Sequence, residues 1–172
     1  RQVQERVAAA RPADETAAQE LAVTLDHLGM QQRVTGDLAG AVRDGRRAVA
    51  VHERLAAARP DNQTRQFNVL SSASTLRYAL VDEGRTAEAL ALSRGAAARL
   101  DAIVARDSRN AFARRSLGVL LNAYGRDQLA AGDRAGARAT FDRSLGIARE
   151  LLAADAGNAE HRRDAAFALQ LR

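Results

Sequence analysis

An all-α fold, an α-solenoid of antiparallel helix hairpins, is what three features of this 172-residue sequence predict. Equivalent residues recur at a fixed offset of 48, as from Gly36 to Gly84 to Gly132. Each of those glycines stands alone between two stretches whose apolar residues keep helical spacing. Alanine supplies about half of a 47% hydrophobic content that includes no Trp, two Tyr and four Phe. Such a composition packs well only as helices, because Ala is the strongest helix former and lets helix axes come close. The β-branched and aromatic residues that strands prefer are few and scattered, and Pro12 and Pro60 alone interrupt the chain.

The elements follow in order from the repeat. Gly36, Gly84 and Gly132 take the left-handed conformation that ends a helix, so they mark hairpin bends. Asp37 and Asp133 come next and accept from the free N–H groups of the following helix, with Thr86 filling that role in the middle repeat. Pro60, with Asp107 and Asp155 one column earlier, closes the second helix of each pair, and Asp14, Asn62, Asn110 and Asn158 cap the first. This places helices near 1–11, 14–35, 38–58, 62–83, 86–106, 110–131, 134–154 and 158–172. Residues 14–61, 62–109 and 110–157 are then three full repeats, between the end of a preceding repeat at 1–13 and the start of a further one at 158–172. On the first helices Leu21, Leu25 and Leu28, and Leu117, Leu121 and Tyr124, keep i, i+4, i+7 spacing and form one apolar stripe. A single hairpin cannot bury such faces on both sides, and stacking hairpins does.

These columns resemble the tetratricopeptide repeat family, whose pattern has a large apolar residue, Leu-Gly and Tyr on the first helix and Ala, an aromatic and Ala on the second. The corresponding residues are Leu25, Leu28-Gly29, Gln32, Ala41, Gly45 and Ala48 in the first repeat, and Ala73, Leu76-Arg77, Leu80, Ala89, Ser93 and Ala96 in the second. The third repeat is nearest the pattern, with Leu121, Tyr124-Gly125, Gln128, Ala137, Phe141 and Ser144. The 48-residue unit exceeds the family's usual 34, and both helices are correspondingly longer. Gly36 to Ala41 and Glu53 to Asn62 resemble extended bacterial arrays of this kind, which often follow a serine/threonine kinase or another signalling domain. The resemblance implies a right-handed superhelix whose concave groove is lined by the first helix of each pair. Carried over by register, the lining is Val23, Asp26, Met30 and Arg33; Ser71, Ser74, Tyr78 and Val81; Val119, Asn122, Arg126 and Leu129; and Phe167. Of these, Asp26, Met30, Arg33, Ser74, Tyr78, Asn122 and Arg126 are the candidate partner contacts.

No catalytic residue, metal ligand or cofactor is expected. His27, His52 and His161 share neither a repeat column nor a ligand spacing, and there is no cysteine. Ser71, Ser72 and Ser74 lack a neighbouring pattern that would activate a nucleophile, and single glycines 48 apart make no phosphate-cradling loop. All 26 basic residues are Arg, the net charge is +5, and aromatic stacking partners are scarce. The doublets Arg46-Arg47, Arg114-Arg115 and Arg162-Arg163 therefore read as ion-paired surface rather than a nucleic-acid footprint. No apolar run approaches the length of a membrane span. Beginning at Arg1 and ending in a helical stretch, the sequence reads as part of a longer protein, and its lack of cysteine and of a signal segment points to the cytoplasm. The expected role is a protein-interaction scaffold that receives a partner's peptide or helix. The alternatives are a regulatory or oligomerising arm of a multidomain signalling protein, or an RNA-binding solenoid. Frayed termini or self-association through the severed ends is expected.

Overall fold

A computed structural model describes residues 14–171. They form seven helices and no strand: α1 (Glu15–Thr35), α2 (Leu38–Ala58), α3 (Gln63–Asp82), α4 (Thr86–Arg106), α5 (Ala111–Ala130), α6 (Arg134–Ala154) and α7 (Ala159–Gln170). The helix expected over 1–11 lies outside the described residues. Among the described residues no helix is long and apolar enough to cross a membrane.

Local chemistry sets these boundaries. Gly36, Gly84 and Gly132 are the described residues with positive φ, at 88°, 77° and 85°, where a Cβ would crowd the neighbouring carbonyl. Asp14 accepts from Thr16 N and Ala17 N at 3.0 Å, and Asn62, Asn110 and Asn158 from the N–H groups of Arg65, Ala113 and Glu160 at 3.1, 2.9 and 2.9 Å. Asp37 and Asp133 cap α2 and α6 through Gly40 N and Gly136 N. The start of α4 differs. Thr86 is its first helical residue, so the column of Asp37 and Asp133 is held by Arg85, which has no acceptor to offer. Its guanidinium instead bridges Glu83 and Glu88 on either side of the bend.

The described residues divide into two compact units, one ending at Ala89 and the other beginning at Leu90. The division falls in the first turn of α4, so the second repeat is shared between them. In the first unit α2 packs on both α1 and α3, with Leu21, Leu25 and Ala48 forming a buried cluster. Glycine allows the helices to approach: a Cβ on Gly45 would sit 3.2 Å from the Leu76 side chain of α3. Asp44 is fully buried and accepts from Gln32 Nε2 of α1 at 3.1 Å. Arg33 of α1 meets Asp82 of α3 at 2.8 Å, 49 residues on, and Arg46 of α2 meets Glu88, 42 residues on.

The second unit repeats these devices with other side chains. Here α6 packs on α5 and α7 over a core that includes Leu117, Leu121, Phe141, Leu145 and Leu151. The Phe141 ring occupies the space left open by Gly125. Gln128 and Thr140, column mates of Gln32 and Asp44, share a 2.6 Å hydrogen bond in which the Thr hydroxyl donates. Ser93 of α4 donates to Asp127 of α5 at 2.5 Å. The ion pairs recur at the same offsets: Arg115 of α5 with Asp164 of α7, 49 residues on at 2.6 Å, and Asp101 of α4 with Arg143 of α6, 42 residues on. As surface pairs they contribute little stability, and the residues that form them belong to different columns in the two units.

Candidate interaction face

The clearest asymmetry is in where large apolar side chains meet solvent. Among the described residues these are Val23, Met30, Val34, Tyr78, Val81, Phe112, Val119, Leu129, Phe167 and Leu169. All ten lie on α1, α3, α5 or α7, the first helices of the repeats, and none on α2, α4 or α6. Most recur by column: Val23, Val119 and Phe167 share one, Met30 and Tyr78 another, and Val81 and Leu129 a third. Scattered exposed apolar residues need no explanation, but a set confined to alternate helices does.

In the first unit Val23, His27, Met30 and Val34 follow one another along one side of α1, and Met30, 53% exposed, lies with His27, Gln31 and Val34 around a shallow depression. Tyr78, 49% exposed, receives the Arg33 guanidinium over its ring at 5.4 Å, while the same guanidinium pairs with Asp82. Ser74 and Val81 are also exposed on α3. In the second unit Arg126 lies over the Phe167 ring at 5.1 Å, on an exposed side of α5 that also carries Val119 and Leu129. Each unit thus presents apolar side chains, including an aromatic ring with a guanidinium against it. Such a surface can bury a partner's apolar groups while offering one polar handle.

Two of the seven candidate contacts point elsewhere. Asp26 turns toward α2 and α3, where it accepts from the Ser72 hydroxyl and lies 3.5 Å from His52 Nε2. Asn122 is 6% exposed and lines a hollow beneath Val119. The Asp26, His52 and Ser72 cluster joins residues that the sequence pattern leaves apart, because His52 has Leu100 and Ala148 as column mates and no repeated polar type marks the place. It contains the residue types of a hydrolytic triad without the order: the serine donates to the carboxylate rather than to the imidazole, and Ser72 and His52 are shut from solvent. Val34, Phe112 and Leu169 are exposed apolar residues outside the expected lining. Val34 continues the i+4 step from Met30. Phe112 shares its column with Thr16, Thr64 and Glu160, which marks it as out of character.

No family model, curated protein or solved structure matches the chain. What the faces can do therefore follows from their own geometry. The arginine doublets are engaged locally: Arg46 with Glu88, Arg47 with Asp44, Arg114 with Glu150, Arg115 with Asp164 and Glu160, Arg163 with Glu160, and Arg162 with the Ala156 carbonyl. A hydrogen bond to Asp164 holds the Arg115 guanidinium above its ordinary pKa. Among the described residues no three His, Cys, Asp or Glu side chains gather as a metal site would require.

Proposed function

We propose that the chain is a non-catalytic protein-interaction scaffold, a tetratricopeptide-type helical solenoid that receives a peptide or helix of a partner protein on the first helices of its repeats. The observation that carries this reading is the confinement of exposed large apolar side chains to α1, α3, α5 and α7. An amphipathic partner segment would bury them, and aromatic anchors such as Tyr78 and Phe167 would supply most of the binding energy. Two further features support a repeat array. The 48-residue columns recur throughout, and cross-helix pairs fall at 49 and 42 residues in each unit. Local pairing of the arginine doublets favours a protein partner over nucleic acid.

The test is affinity capture from the native host followed by mass spectrometry. The intact chain is compared with a variant carrying Met30→Ala, Tyr78→Ala and Arg126→Ala, and with a control carrying Arg54→Ala and Arg138→Ala on second helices. The first variant should lose the captured partner by at least about tenfold, as loss of an aromatic anchor costs roughly 2 kcal/mol, while the control retains it. Equal capture by both variants sinks the assignment. Binding that collapses with salt along a steep logarithmic slope would mark a nucleic acid instead.

A further inference from the structure

The second unit contains a hollow that the interaction reading does not use. It is lined from α5 by Arg115, Gly118, Val119 and Asn122, from α6 by Ser144 and Ala148 among others, and from α7 by His161 and Asp164. Two side chains more than nine-tenths buried bring unpartnered polar atoms to it: Asn122 Oδ1 and His161 Nδ1. A buried polar atom without a hydrogen-bond partner costs about 1–3 kcal/mol, so an amide acceptor and an imidazole nitrogen on one hollow call for a shared partner. Ser144 is buried there too, and its hydroxyl proton is already given to the Gly118 carbonyl at 2.8 Å, leaving its oxygen lone pairs available.

The first unit shows why the hollow exists. Asp26 is the column mate of Asn122, and His52 that of Ala148. There the His52 imidazole reaches across from α2 to Asp26 of α1. With alanine in its place, α6 leaves Asn122 without a side chain to meet. The remaining volume is about 10 Å³, enough for about one water molecule.

We propose that this hollow is a single-oxygen binding site, holding one water molecule between Asn122 Oδ1, Ser144 Oγ and His161 Nδ1. The water donates to the Asn122 carbonyl oxygen and to Ser144, and accepts from the imidazole N–H. Three partners match the usual number for an internal water. The bridge also ties α7 to α5 and α6 through His161, one of only two residues that α7 buries, the other being Ala168.

A crystal structure of the full chain, at a resolution that orders internal water, tests this directly. Density for one oxygen within hydrogen-bond distance of Asn122 and His161 is expected. An empty hollow, or side chains turned to protein partners, overturns the assignment. Ala148→His places an imidazole where His52 stands in the first unit. It should expel the water and raise the melting temperature, whereas a variant that keeps the water or melts lower contradicts the geometry. Asn122→Leu should remove the water and speed amide exchange in α7 by about tenfold, with α5 and α6 unchanged. Unchanged α7 exchange in that variant overturns the tethering role.

Discussion

At Gly125 the absence of a side chain is what the Phe141 ring packs against, and an added Cβ would overlap the ring edge. Phe141 is itself buried in the core, so the ring has no open side to retreat to. Gly125→Ala is expected to destabilise the chain by about 1–3 kcal/mol through overpacking. Gly95, in the middle of α4, would meet nothing within 4 Å. There the same substitution should stabilise by about 0.5–1 kcal/mol, since alanine is the better helix former. Denaturant unfolding of the two variants checks both signs. Of this contrast the sequence disclosed half. Gly125 stands beside Tyr124 and pairs with Phe141 in the repeat nearest the tetratricopeptide pattern. Nothing in one dimension separates the packing need at Gly125 from the idle glycine at Gly95. Asp26 and Asn122 were illegible for a related reason. Their register places them on the first-helix face, but their direction is decided by His52 and Ala148 across the hairpin, in a column with no constant residue type.

Apart from the last, expected at 172 and found at Gln170, the described helix ends were legible to within a residue because capping is local chemistry. Asn110→Ala should cost about 1 kcal/mol, the usual worth of a lost N-cap, and the fall should appear as a shifted midpoint with unchanged denaturant slope. The start of α4 at Thr86 was legible but its cap was not, because an acceptor was sought at Thr86 while the cap position belonged to Arg85. The helix starts also carry the acid response. A hydrogen bond from Arg65 holds Glu15, the first residue of α1, below its ordinary pKa of 4.5, and one from Arg85 does the same for Glu88 in the first turn of α4. A carboxylate depressed in the folded state binds its proton more readily when unfolded. Its stabilisation is therefore complete above pH 4.5 and is lost as pH falls through the lowered folded value. Both groups face solvent, so the effect is small and screened by salt. Unfolding midpoints should stay flat from pH 7 to about 5 and decline below 4.5. The decline should be shallower in Arg65→Gln and at high salt, and an equally steep decline in that variant would mean that the Arg65 hydrogen bond is not its cause.

Across the whole molecule the 48-residue period was the most legible property, because every column constrains the others. Column membership does not fix stability, which depends on how many neighbours cover each helix. Leu25, Ala73, Leu121 and Leu169 share one column, yet Leu121 is 2% exposed and Leu169 55%. Leu121→Ala should cost about 2–5 kcal/mol and Leu169→Ala no more than about 0.5. The same disparity holds for whole helices. Beneath α7 lie only His161 and Ala168, whereas α6 buries Phe141, Leu145, Ala148 and Leu151 among others. Local opening is cheapest where the fewest apolar groups are exposed by it. Native-state hydrogen exchange should therefore show α7 amides exchanging about tenfold or more faster than those of α5 and α6, a difference of roughly 1.4 kcal/mol in opening free energy. Equal protection in α7 and α6 would mean that α7 opens only with the rest of its unit, and that its two buried residues hold it as firmly as a full helical face.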